Sequence, residues 1–456
     1  MELTEGQMSG TWSLGSVSTR LCQVADLARR RPEMVITTLA HHIDVAWLGE
    51  AYRRTRKDGA VGVDEVSAGA YAANLEGNLK GLLERFKTGS YVAPPVRRVH
   101  IPKGDGTATR PIGIPTFEDK VLQRAVAMVL EAVYEQEFRD CSYGFRPGRS
   151  AHLALEHLWK GSMEMSGGWV LKIDIASFFD TLDHGHLRTF LDQRVRDGVI
   201  RRAIDKWLKA GVLEEGQTSR ATTGTPQGGV ISPLLANIYL HEVLDVWFER
   251  DVKPRLRGKA FLVRYADDAV MVFAEGGDAE RVLAVLPQRF GKYGLTLHPE
   301  KTRLVPFKRP WGVGGKGGNG SRPGTFDFLG FTHYWGATRR GGWVVKRKTA
   351  TKRLRRALRA VNLWCRINLH LKVAVQHRML SAILRGHFAY YGIAGNSSSI
   401  AAFRQRVQQV WRFWLAHRSQ KAKMTWLRFR RLHLRYPLPP ARIAPGRQAY
   451  AASPWP

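Results

Sequence analysis

The chain has 456 residues, and its 71 Lys and Arg stand against 39 Asp and Glu, a formal charge of +32 at pH 7. With 44% hydrophobic and 24% charged residues it can build two or three domains around a large core, which excludes a disordered chain. Cys22, Cys141 and Cys365 form no Cys-x-x-Cys pair, so a disulfide framework and a cysteine-rich zinc module are excluded as well.

Residues 1–30 show weak periodicity and read as a loosely ordered lead, and the acidic start Met1-Glu2-Leu3-Thr4-Glu5 fits neither a signal nor a transit peptide. Helical patterns follow over Met34–Arg56 and Tyr71–Thr88. Pro94-Pro95 precedes a strand, Val96–Ile101, then a turn at Lys103-Gly104-Asp105-Gly106 and a second extended piece around Arg110-Pro111-Ile112-Gly113-Ile114. Glu118–Phe138 reads as a long amphipathic helix, Trp169–Ile175 as a buried strand, and Ser232–Trp247 as a helix opened by Pro233. Phe261–Phe273 reads as two strands around a tight turn. A loop at 312–324 carries seven glycines, and from Lys352 apolar residues recur at helical spacing with arginines on the other face. No stretch approaches eighteen uncharged apolar residues, so no membrane span and an intracellular, reducing compartment are expected.

The charge is divided unevenly. Residues 328–456 carry 26 Lys and Arg and no Asp or Glu, while the first 327 hold 45 basic and 39 acidic residues. A large positive charge points to a polyanionic partner, most often nucleic acid, against the plainer alternative of charge kept for solubility. The same quarter holds seven of the fourteen tryptophans, among them Trp364, Trp411, Trp414 and Trp426. Base stacking is one use for them, although most are expected in the core.

Acids at strand ends are the sharpest local feature. Asp267 and Asp268 interrupt the apolar hairpin Leu262–Val272, and Asp174 ends the apolar run from Trp169. Unpaired carboxylates are costly in buried strands, so the Asp pair serves either the turn or a metal. Three carboxylates from two strand tips could hold two Mg2+ ions for phosphoryl transfer, provided that the tips converge.

Eight motifs in order then resemble the reverse transcriptase/maturase proteins of bacterial group II introns. They are Ile101-Pro102-Lys103 through Arg110-Pro111-Ile112-Gly113-Ile114-Pro115, Ser142–Ser150, Asp174–Asp180, Gly224–Leu235, Tyr265-Ala266-Asp267-Asp268, Glu300-Lys301-Thr302, Phe328-Leu329-Gly330-Phe331 and Arg385–Gly392. The resemblance implies an α+β right-hand polymerase, with an antiparallel sheet in the palm. Its parts would be an N-terminal extension with the first finger helices (1–90), fingers and palm (91–335), a maturase-like helical thumb (336–395) and a basic nucleic-acid-binding segment (396–456). The paired cysteines of the endonuclease domain that ends many relatives do not occur, which implies an endonuclease-lacking type.

The resemblance also implies roles. Asp174, Asp267 and Asp268 would be ligands of two Mg2+ ions, assisted by the Ile175 carbonyl. Lys103 and Arg110 would meet the nucleotide triphosphate, a point charge and a bidentate fork on phosphate oxygens, although isolated basic residues are ordinarily solvated surface. Gln227 would sit beside nucleotide and template, or is a plain loop residue. Phe178 or Phe179 would block a ribose 2′-hydroxyl, the other being core. Lys301 is either the general acid for pyrophosphate or a surface lysine. Asp180, the first Asp of Asp180-x-x-Asp183, follows the family pattern and is expected to fix local structure. His184 and His186 lack a third nearby ligand and read as surface rather than metal. The expected partners are intron RNA as template, a DNA primer or target, and deoxynucleotides, in a monomer or homodimer of the bacterial cytoplasm, associated with the nucleoid. Two readings compete with a polymerase that assists its intron: a splicing cofactor with a vestigial polymerase, and a domesticated enzyme of repair or phage defence.

Overall fold

The computed structural model describes residues 14–103, 108–214, 217–219, 224, 228–310, 323–338, 340–418 and 424–443. The supposed loose lead is a helix, Leu14–Arg30, whose Val17, Leu21, Val24 and Ala28 are buried. Its stripe of Val, Leu and Ala is narrow and set among Ser, Thr and Arg, which makes the periodicity faint. The helix expected from Met34 begins only at Val45: Ile36 bridges to Val195, and Asp44 caps Val45–Arg54 by accepting from the Trp47 N–H at 2.8 Å. The next pattern divides into Ala68–Ala72 and Leu75–Thr88.

Helix Phe117–Tyr134, capped by the Thr116 hydroxyl, is the spine of this part. It is buried on nearly every face because helices Leu14–Arg30 and Val45–Arg54 cover it. Before it lies the expected hairpin of β1 (Val96–Lys103) and β2 (Ala108–Ile114), paired from Arg97–Ile114 to Lys103–Ala108. After it come helix Ala151–Glu164, strand β3 (Trp169–Ile173) and the helices Phe178–Thr181, His184–Asp192 and Gly198–Lys209. Two short strands, β4 (Val212–Glu214) and β5 (Gln217–Ser219), extend the first hairpin to the order β2-β1-β4-β5.

Helix Ser232–Leu240 does not run on as an α-helix to Trp247; its winding loosens to π-helix over His241–Val246 and again over Phe248–Val252. Strands β6 (Ala260–Tyr265) and β7 (Asp268–Phe273), helix Gly276–Gly291 and strand β8 (Arg303–Pro306) complete a central antiparallel sheet of order β6-β7-β3-β8. The third sheet is β11-β10-β9, formed by β9 (Phe326–Phe328), β10 (Phe331–Ala337) and β11 (Trp343–Thr349). Four helices follow, Thr351–Ile367, Val373–Tyr391, Ser397–Ala416 and Trp426–Arg435, around a core that includes Val361, Leu380, Phe403 and Trp411. Trp411 is thus core as expected, whereas Trp426 is half exposed beneath the Arg412 guanidinium. The chain is a mixed helix-and-sheet protein, and among its described residues no helix is long and apolar enough to cross a membrane. Nearly all of the Gly-rich loop at 312–324, and Ser419–Lys421, lie outside the described residues.

Candidate active site at the strand tips

Register brings the acids together. β3 pairs with β7 so that Ile173 faces Ala269, and β6 pairs with β7 so that Tyr265 faces Asp268. Asp174 therefore leaves β3 beside Asp268, and Asp267 stands in the two-residue turn before it. Burial raises both Asp267 and Asp268 above the usual carboxylate range; the charge of Asp267 adds to the shift at Asp268, and that of Asp174 to both. The Arg110 guanidinium, exposed on β2, opposes the shift at Asp267. The three side chains do not close on one point: among the described residues no group of three His, Cys, Asp or Glu stands ready around a single ion.

Backbone bonds fix the first tip. The Asp174 carbonyl accepts from the His298 N–H at 2.8 Å, and the Thr302 hydroxyl lies 3.3 Å from both its N and its O. Ile175 bridges to Leu297 through bonds on either side of it, Ala176 N–H to Thr296 and His298 N–H to Asp174, so the bridge leaves the Ile175 carbonyl unused. The same segment brings Lys301 Nζ to 3.5 Å from Asp174 Oδ1, with the lysine side chain 55% exposed.

Gly144 supports the second tip. A Cβ there would stand 2.3 Å from the Ala266 nitrogen, so only glycine admits the turn this closely. Among the described residues six non-glycine residues have positive φ, and four of them lie in the quoted motifs: Phe145, Ser177, Ala266 and Leu329. Each costs on the order of 1 kcal/mol, and such residues gather where surrounding structure holds a site in one shape.

Comparison with known proteins bears on what this edge is for. A family profile described as "Reverse transcriptase (RNA-dependent DNA polymerase)" matches residues 101–333, just over half of the chain. The chain belongs to the reverse transcriptase family. It is 43% identical over 188 residues to the group II intron-encoded protein LtrA of Lactococcus lactis, covering 40% of this chain and 31% of that protein. It is 35% identical over 293 residues to YkfC of Escherichia coli K12, covering 57% of this chain and 76% of YkfC. Nuclear intron maturase 2, mitochondrial, of Arabidopsis thaliana is 29% identical over 241 residues, covering 44% and 31%. The chain thus spans under a third of LtrA's length.

In this member of the family the two phenylalanines part company. Phe178 is 2% exposed and packs edge-on against Tyr239, whereas Phe179 is only partly buried. Lys103 ends β1 opposite Ala108, and its side chain lies outside the described residues, as does all of Gln227. The glycines flanking Gln227 are described: Gly224 lies against the Phe179 and Asp180 carbonyls, and Gly228 against the Gly113 carbonyl of β2. Asp183 caps helix His184–Asp192, accepting from the His186 N–H at 2.8 Å. His184 corrects an expectation, because it is buried rather than on the surface and its Nε2 lies 2.6 Å from the Gly224 carbonyl. His186 packs on Phe190 and Tyr293.

Three supports had no role assigned from the sequence: Gly144 and Thr302, although both lie inside quoted motifs, and Arg264. Only Arg264 carried a local signal, a lone cation in the apolar strand Ala260–Tyr265, which demands a buried carboxylate; Asp245, in the π-helical stretch His241–Val246, supplies it.

Proposed function

We propose that this chain is an RNA-directed DNA polymerase of the group II intron type that also binds its intron RNA to assist splicing and mobility. The observation that carries the reading is the gathering of Asp174, Asp267 and Asp268 at neighbouring tips of one sheet, with their charges felt by one another. We read the architecture as a right hand, with fingers and palm over 91–335, a helical thumb over 336–395, a basic nucleic-acid-binding segment over 396–456, and residues 1–90 as extension and first finger helices.

Oxygen donors suit a hard divalent cation. Mg2+ is usually held by one or two carboxylates while water and substrate phosphates complete its shell, so a set without a closed three-ligand cage suits it. Asp174, Asp267, Asp268 and the Ile175 carbonyl would hold two Mg2+ ions, which when bound activate a primer 3′-hydroxyl and stabilise the leaving oxygen. Arg110 and Lys103 would bind the triphosphate of the incoming deoxynucleotide, and Gln227 would lie between nucleotide and template. Phe179 would exclude the ribose 2′-hydroxyl, a choice supported by the burial of Phe178. Lys301 would protonate pyrophosphate, supported by its exposure and its nearness to Asp174. The template would be intron RNA and the primer DNA.

Extension of a DNA primer on an RNA template tests the reading. Incorporation by the wild type and loss with Asp267→Asn is expected; equal activity in both, or none in either, refutes it. The exposed cations of helix Thr351–Ile367 favour a second reading, a splicing cofactor with a vestigial polymerase. Tight intron RNA binding without nucleotide incorporation would decide for that one.

A further inference from the structure

We propose that Arg264 is a positioning residue for Asp267 and Asp268, acting through the Ala266 carbonyl and anchored by Asp245 and Asn237. Arg264 is fully buried. Its Nε and Nη2 donate to the two oxygens of Asp245 at 2.8 and 2.6 Å, which neutralises the charge. Its Nη1 donates to Asn237 Oδ1 at 2.9 Å and to the Ala266 carbonyl at 3.1 Å. Asn237 in turn donates through Nδ2 to the Gly144 carbonyl at 2.7 Å, so one side chain ties together both backbones that meet at the turn. The Arg264 main chain bonds to the same neighbour, through Cys141 O and Tyr143 N.

The Ala266 carbonyl belongs to the peptide unit that carries the Asp267 nitrogen. Holding that oxygen therefore sets the plane from which Asp267 and Asp268 project. A guanidinium can do this while paired, because its donors form a rigid fork; a lysine ammonium is a compact point charge that cannot reach Asp245, Asn237 and Ala266 together. Stability alone does not call for the pair, since apolar residues of similar volume often replace a buried ion pair without loss. What apolar residues cannot supply is the bond to Ala266.

The inference rests on the polymerase reading for its activity readout but not for its binding readout. Mn2+ binding to the full-length chain is followed by the electron paramagnetic resonance of the free ion, beside primer extension, for the wild type, Asp267→Asn, Arg264→Lys and the double variant Arg264→Met/Asp245→Leu. A single truncation of Arg264 is avoided because it strands a buried carboxylate. In the double variant and in Arg264→Lys, Mn2+ affinity is expected to fall at least fivefold and kcat at least tenfold, with the KM for primer–template unchanged. Values of Mn2+ affinity and kcat within twofold of wild type would overturn the proposal. If the double variant does not melt cooperatively, Arg264→Lys, which keeps a cation beside Asp245, decides by the same thresholds. A wild type that binds Mn2+ without extending primers refutes the polymerase reading and leaves the binding comparison to decide this one. A wild type that binds no Mn2+ overturns both.

Discussion

Replacing Gly144 by alanine drives a methyl group into the backbone that carries Asp267. The new Cβ would meet Ala266 N at 2.3 Å, Tyr265 C at 3.0 Å and Ala266 Cα at 3.1 Å. All three are main-chain atoms, so no side chain can rotate away. Restoring the shortest contact from 2.3 Å to an ordinary 3.4 Å moves the turn by about 1 Å. A 1 Å misplacement of reacting groups costs roughly 100-fold in rate, and overpacking of this kind costs about 1–3 kcal/mol of stability. Primer-extension kcat should therefore fall by about two orders of magnitude while the melting temperature drops by only a few degrees. Gly386→Ala is the control: it lies in helix Val373–Tyr391 with nothing within 4 Å of its added Cβ, so stability should be unchanged or slightly raised. A Gly144→Ala enzyme with kcat within threefold of wild type would refute the claim that this contact sets the turn.

Phe178→Ala should cost about 3–5 kcal/mol in chemical denaturation, because a fully packed ring is removed. Phe179→Val should instead leave stability nearly intact and raise ribonucleotide relative to deoxynucleotide incorporation by about tenfold or more, and equal discrimination in both variants would sink the sugar-gate role. Burial holds the His333 imidazole down at about 3, from an ordinary 6.5. The unfolded chain then takes up a proton that the fold excludes, so this stabilisation is full above pH 6.5 and is lost as pH falls toward 3, by about 2 kcal/mol at pH 5. His333→Phe should flatten the fall in melting temperature between pH 7 and 5, and an unchanged slope would count against it. Reversing the exposed Arg355, Arg356 and Arg359 to glutamate should weaken RNA binding and flatten its log–log salt slope by about 2, whereas an unaltered slope would separate this helix from RNA.

The acids of the site were legible because they break a local rule: a buried strand has no use for a carboxylate at its tip unless something there requires it. The tight turn between β6 and β7 was legible for the same local reason. That the tips converge was not, since it depends on β3 pairing with β7 across about a hundred residues. The supports are likewise long-range. Thr302 reaches Asp174 from 128 positions away, and Asn237 reaches Gly144 from 93. His184 read as surface because the carbonyl that takes it inward, Gly224, lies 40 residues on. Local propensity failed where the apolar stripe was narrow, in Leu14–Arg30, and where winding changes without a Pro or Gly to mark it, at His241.

The uneven charge acquires a physical sense in the fold. Residues 328–456 have no acidic side chain of their own, so their cations turn mainly to the rest of the chain, to backbone carbonyls or to solvent. Among the described residues one ion pair reaches this segment, Arg347 with Glu156 at 3.7 Å. Arg404, Arg412 and Arg418 donate to the carbonyls of Pro439, Met424 and Leu369, bonds that satisfy donors but neutralise no charge. Some buried acids of the body are consumed in pairing, as Glu50 is by Arg53 and Arg54, and Asp245 by Arg264. Of the three strand-tip acids, Asp174 has Lys301 at salt-bridge distance, and among the described residues Asp267 and Asp268 have no cation that near. Positive charge without acidic side chains thus gathers in the last quarter, and three carboxylates whose charges act on one another stand at one sheet edge. A polyphosphate is drawn to the first without help, and it can approach the second only if cations stand between like charges. A polymerase needs both arrangements, one to hold the nucleic acid and one to make attack on a phosphate dependent on metal.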